Sequence, residues 1–241
     1  MIPLTAAATT SEVVFLNTKA ETQGFDISKK SVCLIGCGGL GCNVAVHLAG
    51  AGVGKLYLCD FDTVNESNLN RQFLYTKDSV GKPKCRVAEE RLASFSADTE
   101  YIAAEKKISN EEDLDFAREC DIVILAVDNA KTRVVLQQFC TKNRIPLVCG
   151  GIDGFYGMCY LYIPDVSPCP DCAGMNEGTR AKHNVSATAG IIGSAESALA
   201  IEYLVTENKN LSGKILMFDE SDFQTLKISP RSDCPLCKKR G

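Results

Sequence analysis

Four cysteines in the second half of the sequence have two identical spacings. Cys169 and Cys172 form one Cys-x-x-Cys pair, and Cys234 and Cys237 form another near the C-terminal end. Together the two pairs supply four thiolates, the ligand set of a closed tetrahedral zinc site. The spacing predicts a structural zinc ion that fastens the C-terminal segment to a distant loop. A redox-active dithiol is the alternative interpretation of each pair.

A glycine-rich turn predicts a second kind of site. The motif GCGGLG at 36–41 follows an apolar strand-like run and precedes a helix-like one. Glycines let the backbone approach a ligand closely, and the free N–H groups at the start of a helix favour a phosphate. Asp60 ends the next strand-like run, where dinucleotide-binding folds carry a ribose-binding carboxylate. These features alone do not separate NAD from ATP.

A long polar loop at 62–73 favours ATP over NAD. The loop contributes Arg71, the following helix-like segment contributes Lys84, and Asp128 ends a later strand-like run. A triphosphate carries more charge than a dinucleotide's pyrophosphate, so it needs cations and a carboxylate that can hold Mg²⁺. These residue types predict a site for ATP and Mg²⁺, and Asp62 fits either a capping role in the loop or a place near the metal.

The elements that must position these residues alternate between strands and helices. This alternation predicts a Rossmann-like α/β fold with a doubly wound, mainly parallel sheet. Gly36, Asp60 and Asp128 are then expected at the carboxyl edge of the strands. The predicted strands are 32–35, 55–59, 100–104, 121–127 and 146–149, and the predicted helices are 40–51, 82–95, 111–118 and 130–142.

The pattern changes after Gly150. An antiparallel strand is predicted at 154–163, a small-residue helix at 188–206 and a hairpin at 214–218 and 224–228, which together form a C-terminal antiparallel extension. No linker separates this part from the first, so residues 31–241 are interpreted as a single domain preceded by a lead-in at 1–30.

Composition excludes several classes of protein. A net charge of −4 and a pI near 5.4 argue against a nucleic-acid-binding protein. A nucleic acid is therefore not expected as a partner. No apolar run reaches membrane-spanning length and no signal peptide is evident, so no membrane partner is expected and a cytoplasmic location is expected. Most of the thirteen cysteines, such as Cys33, Cys59, Cys149 and Cys159, lie in apolar patterns and are predicted to be buried reduced thiols.

Taken together, these motifs resemble the ThiF/MoeB/HesA family, the bacterial relatives of ubiquitin-activating enzymes. The resemblance runs from about residue 31 to residue 238 and rests on GCGGLG, LYLCDFDTVNESNLNRQFL, VGKPK, AVDN, CPDC and CPLC. In that family, ATP activates the C-terminal glycine carboxylate of a small ubiquitin-like sulfur carrier as an acyl-adenylate, and pyrophosphate leaves. The resemblance implies this adenylyltransferase activity, a ThiS- or MoaD-like carrier ending in Gly-Gly, a sulfur donor protein and a homodimer.

The resemblance also implies roles for individual residues. Asp60 is expected on the ribose hydroxyls, Arg71 and Lys84 on the phosphates, and Asp128 with Mg²⁺ beside Asn129. Arg71, Lys84 and Asp128 are the expected catalytic residues. The expected nucleotide-binding set is Gly36, Gly38, Gly39, Gly41, Asp60, Ser67, Asn68, Asn70, Arg71, Lys84, Asp128 and Asn129.

The sequence departs from the family in two places. Many members carry an N-terminal arginine that reaches the neighbouring subunit's ATP site, but the first arginine in this sequence is Arg71. Lys19, Lys29 or Lys30, or a cation from a partner, are the possible substitutes. Second, the segment 173–190 has no cysteine where several members carry a sulfur-handling one, so we expect sulfur transfer to take place on another protein.

Three alternative functions follow from the same residues. The first is an enzyme that adenylates a peptide or a tRNA-modification carboxylate instead of a carrier. The second is a non-catalytic partner subunit, which the missing N-terminal arginine favours. The third is an NAD-dependent oxidoreductase, which is disfavoured because it gives no role to the Arg71 loop or to the paired cysteines.

Overall fold

The computed structural model describes residues 26–176 and 183–237. The strands are β1 (Ser31–Ile35), β2 (Lys55–Cys59), β3 (Glu100–Ala104), β4 (Ile122–Leu125), β5 (Leu147–Asp153), β6 (Tyr156–Tyr162), β7 (Lys214–Asp219) and β8 (Asp222–Lys227). The α-helices are α1 (Gly39–Gly50), α2 (Lys84–Ala93), α3 (Ala130–Asn143) and α4 (Ser186–Thr206). Short 3-10 helices occupy Glu66–Asn68, Lys77–Ser79, Glu111–Ala117 and Lys209–Leu211.

All eight strands form one sheet in the order β3-β2-β1-β4-β5-β6-β7-β8. Neighbouring strands from β3 to β5 are parallel, and β6, β7 and β8 continue the sheet in antiparallel pairs. The chain passes from β1 outward to β3, then returns to place β4 on the other side of β1. The predicted α/β fold with a mainly parallel sheet and an antiparallel C-terminal extension is confirmed.

Strand β5 is longer than the sequence predicts. The predicted strand stops at residue 149, whereas β5 runs through Gly150 and Gly151 to Asp153. Two glycines carry no side-chain pattern that could indicate a strand, but their backbone pairs with β6 opposite Cys159 and Met158. The segment predicted as a short helix at 111–118 is a 3-10 helix that ends at Ala117.

Apolar side chains cover the parallel sheet on both faces. Val32 and Leu34 of β1 belong to a core with residues of α1, α2 and α4. Cys33 and Ile35 point to the opposite face and belong to a core with residues of α3. Because both faces are buried, the central strands are almost uninterrupted apolar runs. The cysteines predicted as buried thiols, among them Cys33, Cys59, Cys149 and Cys159, are buried.

The predicted lead-in at 1–30 lies outside the described residues up to position 25. Ile27 is buried in the core, and its carbonyl accepts hydrogen bonds from the N–H groups of Lys30 and Gly54 at 3.0 and 3.1 Å. The division into a lead-in and a single domain stays a prediction. Among the described helices, none combines the length and apolar character that crossing a membrane requires.

Candidate active site and metal centre

A cavity of about 740 Å³ opens at the carboxyl edge of the parallel strands. Its walls come from segments that are far apart in the sequence: the glycine turn, the polar loop after β2, the start of α2, the loop after β4, and the segment that follows the first cysteine pair. The predicted site residues that line it are Gly36, Gly38, Gly39, Asp60, Asn68, Arg71, Lys84, Asp128 and Asn129. The structure therefore brings most of the predicted set to one place.

The glycine turn needs glycine at two of its positions. Gly36 has φ +98°, and a Cβ there would meet the backbone of Ala126. A Cβ on Gly41 would overlap the carbonyl oxygen of Gly36, so Gly41 does not line the cavity but permits the turn to close. The first turn of α1 has no side-chain cap, which leaves its N–H groups and the positive end of the helix dipole available to an anion.

Asp60 holds the glycine turn against the polar loop. The N–H of Cys37 donates to Asp60 Oδ2 at 2.7 Å, and the N–H of Asp62 donates to Asp60 Oδ1 at 2.8 Å. Burial raises the pKa of Asp60 above its ordinary value, although these two hydrogen bonds and the charge of Lys84 act in the opposite direction. Asp60 is therefore a structural acceptor as well as a candidate ribose ligand.

Near neighbours in the polar loop hold Arg71. Its Nη1 donates to the carbonyl oxygen of Ser67 at 3.1 Å and to Asn70 Oδ1 at 2.8 Å. Ser67 and Asn70 do not line the cavity wall. Asn65 caps the 3-10 helix Glu66–Asn68, with its side chain accepting from the Ser67 N–H at 3.0 Å. Ser67 and Asn70 thus orient the guanidinium, while Arg71 itself faces the cavity.

Lys84 begins α2 as a buried cation. Its side chain is 8% exposed, and Nζ lies 3.3 Å from Asp62 Oδ2, whose side chain is 53% exposed. The N–H of Lys84 also donates to the carbonyl oxygen of Asp62 at 2.9 Å. This contact places Asp62, left ambiguous by the sequence, beside Lys84 at the cavity wall.

Asp128 and Asn129 lie between β4 and α3. Both residues are exposed and line the cavity. Asn129 is the N-cap of α3, and its Oδ1 accepts from the N–H of Thr132 at 2.8 Å. Asn129 thus caps the start of α3, and Asp128 beside it is an exposed acidic residue of the cavity lining.

Sequence reasoning missed several polar residues that line this cavity, among them Gln72 and Arg133. Gln72 is buried, and its Oε1 has no hydrogen-bond partner in the described part of the chain. Arg133 is also buried, and its guanidinium donates to the carbonyl oxygens of Val127, Gly150 and Met175 at 2.8, 2.6 and 3.1 Å. Arg133 could have been found from the period of α3, because it occupies the same buried face as Leu136 and Cys140.

Glu196 of α4 lies directly behind the cavity floor and was likewise not predicted as special. It is fully buried, and neither carboxylate oxygen has a hydrogen-bond partner among the described residues. Burial raises the pKa of Glu196 to about 8, although the positive charge of Arg133 lowers it. The carboxyl fits here because Gly150 has no side chain: a Cβ at that position would lie 2.5 Å from Glu196 Oε1.

The two cysteine pairs meet in one cluster. The four sulfur atoms lie within 4.8 Å of one another, with Cys169 Sγ 3.5 Å from Cys234 Sγ and Cys172 Sγ 3.7 Å from Cys237 Sγ. Four sulfurs at about 2.3 Å from a zinc ion would be about 3.8 Å apart. N–H groups of Cys169 and Arg231 also point at Sγ atoms of the cluster. The donor set and spacing fit zinc, so the cluster can hold the predicted ion, and the joining of all four cysteines favours a metal over two separate dithiols.

Outside the four-cysteine cluster, the thiols are poorly placed for nucleophilic chemistry. All thirteen cysteines lie in the described residues, and each is buried except Cys172, which is partly exposed within the metal cluster. Cys59 lines the cavity, but burial raises its pKa to about 12. The Cys59 thiol is therefore protonated at neutral pH.

Two of the lysines considered as substitutes for the missing arginine, Lys29 and Lys30, are not near the cavity of their own chain. Lys30 forms ion pairs with Asp121 and Glu207 at 3.5 and 3.6 Å, beside the start of β1. Lys29 lines a separate hollow at the same amino-terminal edge of the sheet. Lys19 lies outside the described residues.

Known proteins resemble this chain in sequence and in fold. Adenylyltransferase and sulfurtransferase MOCS3 of Aedes aegypti is 32% identical over 221 residues, which are 88% of this chain and 51% of that protein. The sulfur carrier protein ThiS adenylyltransferase of Escherichia coli (strain K12) is 32% identical over 214 residues, 86% of this chain and 85% of that protein. A crystal structure of E. coli MccB with ATP has a TM-score of 0.78 and 22% identity over 88% of this chain and 67% of MccB, which shows a common fold.

The matches cover different shares of the relatives' own lengths. The chain spans about half the length of the curated MOCS3 relatives that it matches. A model described as the ThiF family matches residues 14–238, nearly the whole sequence. The chain belongs to the ThiF family.

Proposed function

We propose that this chain is an ATP-dependent adenylyltransferase that activates the C-terminal glycine carboxylate of a small ubiquitin-like sulfur-carrier protein. One observation carries the proposal. Arg71, Lys84 and Asp128 come from three separate segments, yet all three line one cavity with the open N-terminus of α1. Two cations, a carboxylate and a helix N-terminus together match the charge of a triphosphate with its metal ion.

The reaction needs positioning and charge neutralisation more than acid or base catalysis. A carrier carboxylate oxygen attacks the α-phosphorus of ATP, the bond from that phosphorus to the bridging oxygen breaks, and pyrophosphate leaves with the electron pair. Arg71 and Lys84 would stabilise the negative charge that develops on the phosphate oxygens. Asp62, which contacts Lys84, would keep its ammonium in place.

Magnesium fits the acidic edge of the cavity. Carboxylate oxygens are preferred Mg²⁺ ligands, and Asp128 presents an exposed carboxylate there while Asn129 is engaged in capping α3. The ion would neutralise phosphate charge and make pyrophosphate a better leaving group. Asp128 would bind it, and Asp60 would accept hydrogen bonds from the ribose hydroxyls.

The substrate class is supported by the relatives. One is named a ThiS adenylyltransferase and another an adenylyltransferase and sulfurtransferase, at the same 32% identity. Equal identity does not favour one carrier over another. The burial of the thiols supports a chain that adenylates the carrier and leaves sulfur transfer to a separate donor protein. A zinc ion in the four-cysteine cluster and a homodimer complete the proposal.

The test is carrier-dependent exchange of labelled pyrophosphate into ATP. Purified protein should catalyse exchange with a ThiS- or MoaD-like carrier that ends in Gly-Gly, and not with the same carrier lacking its last two residues. Asp128→Ala should abolish exchange, whereas Asp78→Ala removes an exposed aspartate outside the cavity and should leave the rate unchanged.

Three results would contradict the proposal in different ways. ATP binding without exchange on any carrier would indicate a non-catalytic partner subunit. Exchange with a short peptide or a tRNA-linked carboxylate instead of the carrier would change the substrate. A covalent, thiol-sensitive adduct between this chain and its carrier would show that sulfur chemistry takes place here after all.

A further inference from the structure

Arg133 connects three walls of the cavity. Its Nη2 donates to the carbonyl oxygens of Val127, in the loop after β4, and Gly150, in β5. Its Nη1 donates to the carbonyl oxygen of Met175, in the segment that follows the first cysteine pair. Three segments that are distant in sequence therefore converge on one buried guanidinium.

Gln137, one turn further along α3, binds the same segment of the metal centre. Its Oε1 accepts hydrogen bonds from the Asp171 N–H at 3.2 Å and from Asn176 Nδ2 at 2.5 Å. Asn176 Nδ2 also donates to Asp171 Oδ1 at 2.8 Å. Asp171 lies between the two metal-ligating positions of the first pair, so α3 holds the metal-centre loop (residues 169–176) at both of its ends.

The metal-centre loop is also a wall of the cavity. Gly174, Met175 and Asn176 line it. On the other side of Arg133, Val127 immediately precedes Asp128, the candidate Mg²⁺ ligand. A displacement of the metal-centre loop would therefore change the partners of Arg133, and a change at Arg133 would move the backbone that carries Asp128.

We infer that Arg133 is a positioning residue that couples the four-cysteine metal centre to the nucleotide cavity. This inference rests on the proposed function, because it assigns the cavity to ATP. The planar guanidinium suits the task, since its fixed fork of donors reaches three carbonyl groups at once and a lysine ammonium cannot reproduce that geometry. Thermodynamic coupling is reciprocal, so nucleotide binding must also change how firmly the metal is held.

The first experiment measures zinc release from the full chain loaded with zinc. A chromophoric chelator is added with and without ATP in excess Mg²⁺, and the ratio of the two release rates is recorded. The lower end of typical coupling is about a fivefold change in affinity, and affinity differences between related complexes appear mainly in dissociation rates, so we expect ATP to slow release by about fivefold or more in the wild type. Arg133→Met should bring the ratio close to one, and Arg133→Lys should give an intermediate value. Lys131→Met removes an exposed cation from the same helix and should behave as the wild type does.

A second measurement tests the structural step without nucleotide. Amide hydrogen exchange at residues 171–176 should be faster in Arg133→Met than in the wild type and unchanged in Lys131→Met. Steady-state pyrophosphate exchange should show a raised KM for ATP in Arg133→Lys with a smaller change in kcat. If Arg133→Met does not fold, Arg133→Lys and Gln137→Leu still test the release ratio.

The outcomes separate this inference from the proposed function. A wild-type chain that binds no ATP in a direct titration overturns the proposed function and the coupling with it. A chain that binds ATP but releases zinc at the same rate with and without it overturns the coupling alone. An Arg133→Met chain that is folded and keeps the wild-type release ratio also overturns it.

Discussion

Arg71 and Arg133 face the same cavity but are held in opposite ways. Arg71 is anchored by Ser67 and Asn70, both within four residues of it in the polar loop. Arg133 is anchored by carbonyl groups of Val127, Gly150 and Met175, up to forty-two residues away. The comparison indicates that the loop holds its cation through local contacts alone, whereas Arg133 is held by segments that the fold brings together.

The sheet floor, Gly150 and Gly151 of β5, has a titratable side chain packed against each of its two faces. Consecutive strand residues face opposite sides of a sheet, and these two have no side chains to fill the space. Glu196 occupies the space at Gly150, and Arg133 Nη2 lies 3.6 Å from where a Cβ of Gly151 would be. The carboxyl of Glu196 and the guanidinium of Arg133 therefore lie on opposite faces of the same strand.

The strongest test of the comparison is Arg71→Ala. Loss of a cation that acts on the phosphates should lower kcat/KM for pyrophosphate exchange by about 10²–10³-fold. The free energy of unfolding should hardly change, because within residues 26–176 and 183–237 the Arg71 side chain hydrogen-bonds only to Ser67 and Asn70 of its own loop. Both quantities are measured on the same preparation, by exchange assay and by denaturant unfolding.

Lys77→Ala is the matched control, since Lys77 is an exposed lysine outside the cavity in the next 3-10 helix. It should leave both quantities unchanged. In Arg133→Met three carbonyl groups lose a donor, and two of these contacts are buried. If Arg71→Ala unfolds as readily as Arg133→Met, the distinction between the two regions is wrong.

The buried carboxyl of Glu196 behind the sheet floor should make the stability of the fold depend on pH. The folded chain holds the proton of Glu196 more tightly than the unfolded chain does, because burial raises the pKa from 4.5 to about 8. The contribution of Glu196 to stability is therefore most favourable below about pH 4.5 and decreases as pH rises towards 8, by at most about 1.4 kcal/mol per pH unit. Glu196→Gln cannot ionise and should lack this decrease.

Denaturant unfolding at pH 5.5, 6.5 and 7.5 measures the effect as the difference between wild type and Glu196→Gln. Arg133, Cys149 and Cys159 are the titratable groups near Glu196, and burial keeps the two thiols neutral in this range. Glu202→Gln, an exposed change on the same helix, serves as the control. Parallel pH curves for wild type and Glu196→Gln would contradict the prediction.

The smallest effect is expected at Asn129, which lies between the two regions. Asn129→Ala removes the side chain that caps α3 and should lower stability by about 1 kcal/mol. Asn129→Asp keeps a hydrogen-bond acceptor at the cap, so it should retain most of the stability that Asn129→Ala loses. A loss of exchange activity as large as that of Arg71→Ala, with stability unchanged, would instead assign Asn129 to the nucleotide.

The sequence predicted most of the fold and part of the candidate site. The strands at 55–59 and 100–104 have the predicted bounds, because apolar runs between polar turns indicate buried strands directly. The predicted cysteine pairs meet as expected. The nucleotide roles of the site residues stay predictions, and the structure adds that Ser67 and Asn70 contact Arg71 while Gly41 closes the glycine turn.

What the sequence determined by itself was local: the alternation of strands and helices, the glycine turn, and the residue types gathered in the polar loop. Interactions over a few residues depend on short-range geometry that the sequence encodes directly. The tertiary structure alone decided that β5 continues through Gly150, that Arg133 joins three walls, and that Glu196 is buried behind them. These features depend on which distant segments pack together, because a polar side chain on a buried helix face gains its partners only when the sheet and its covering helices meet.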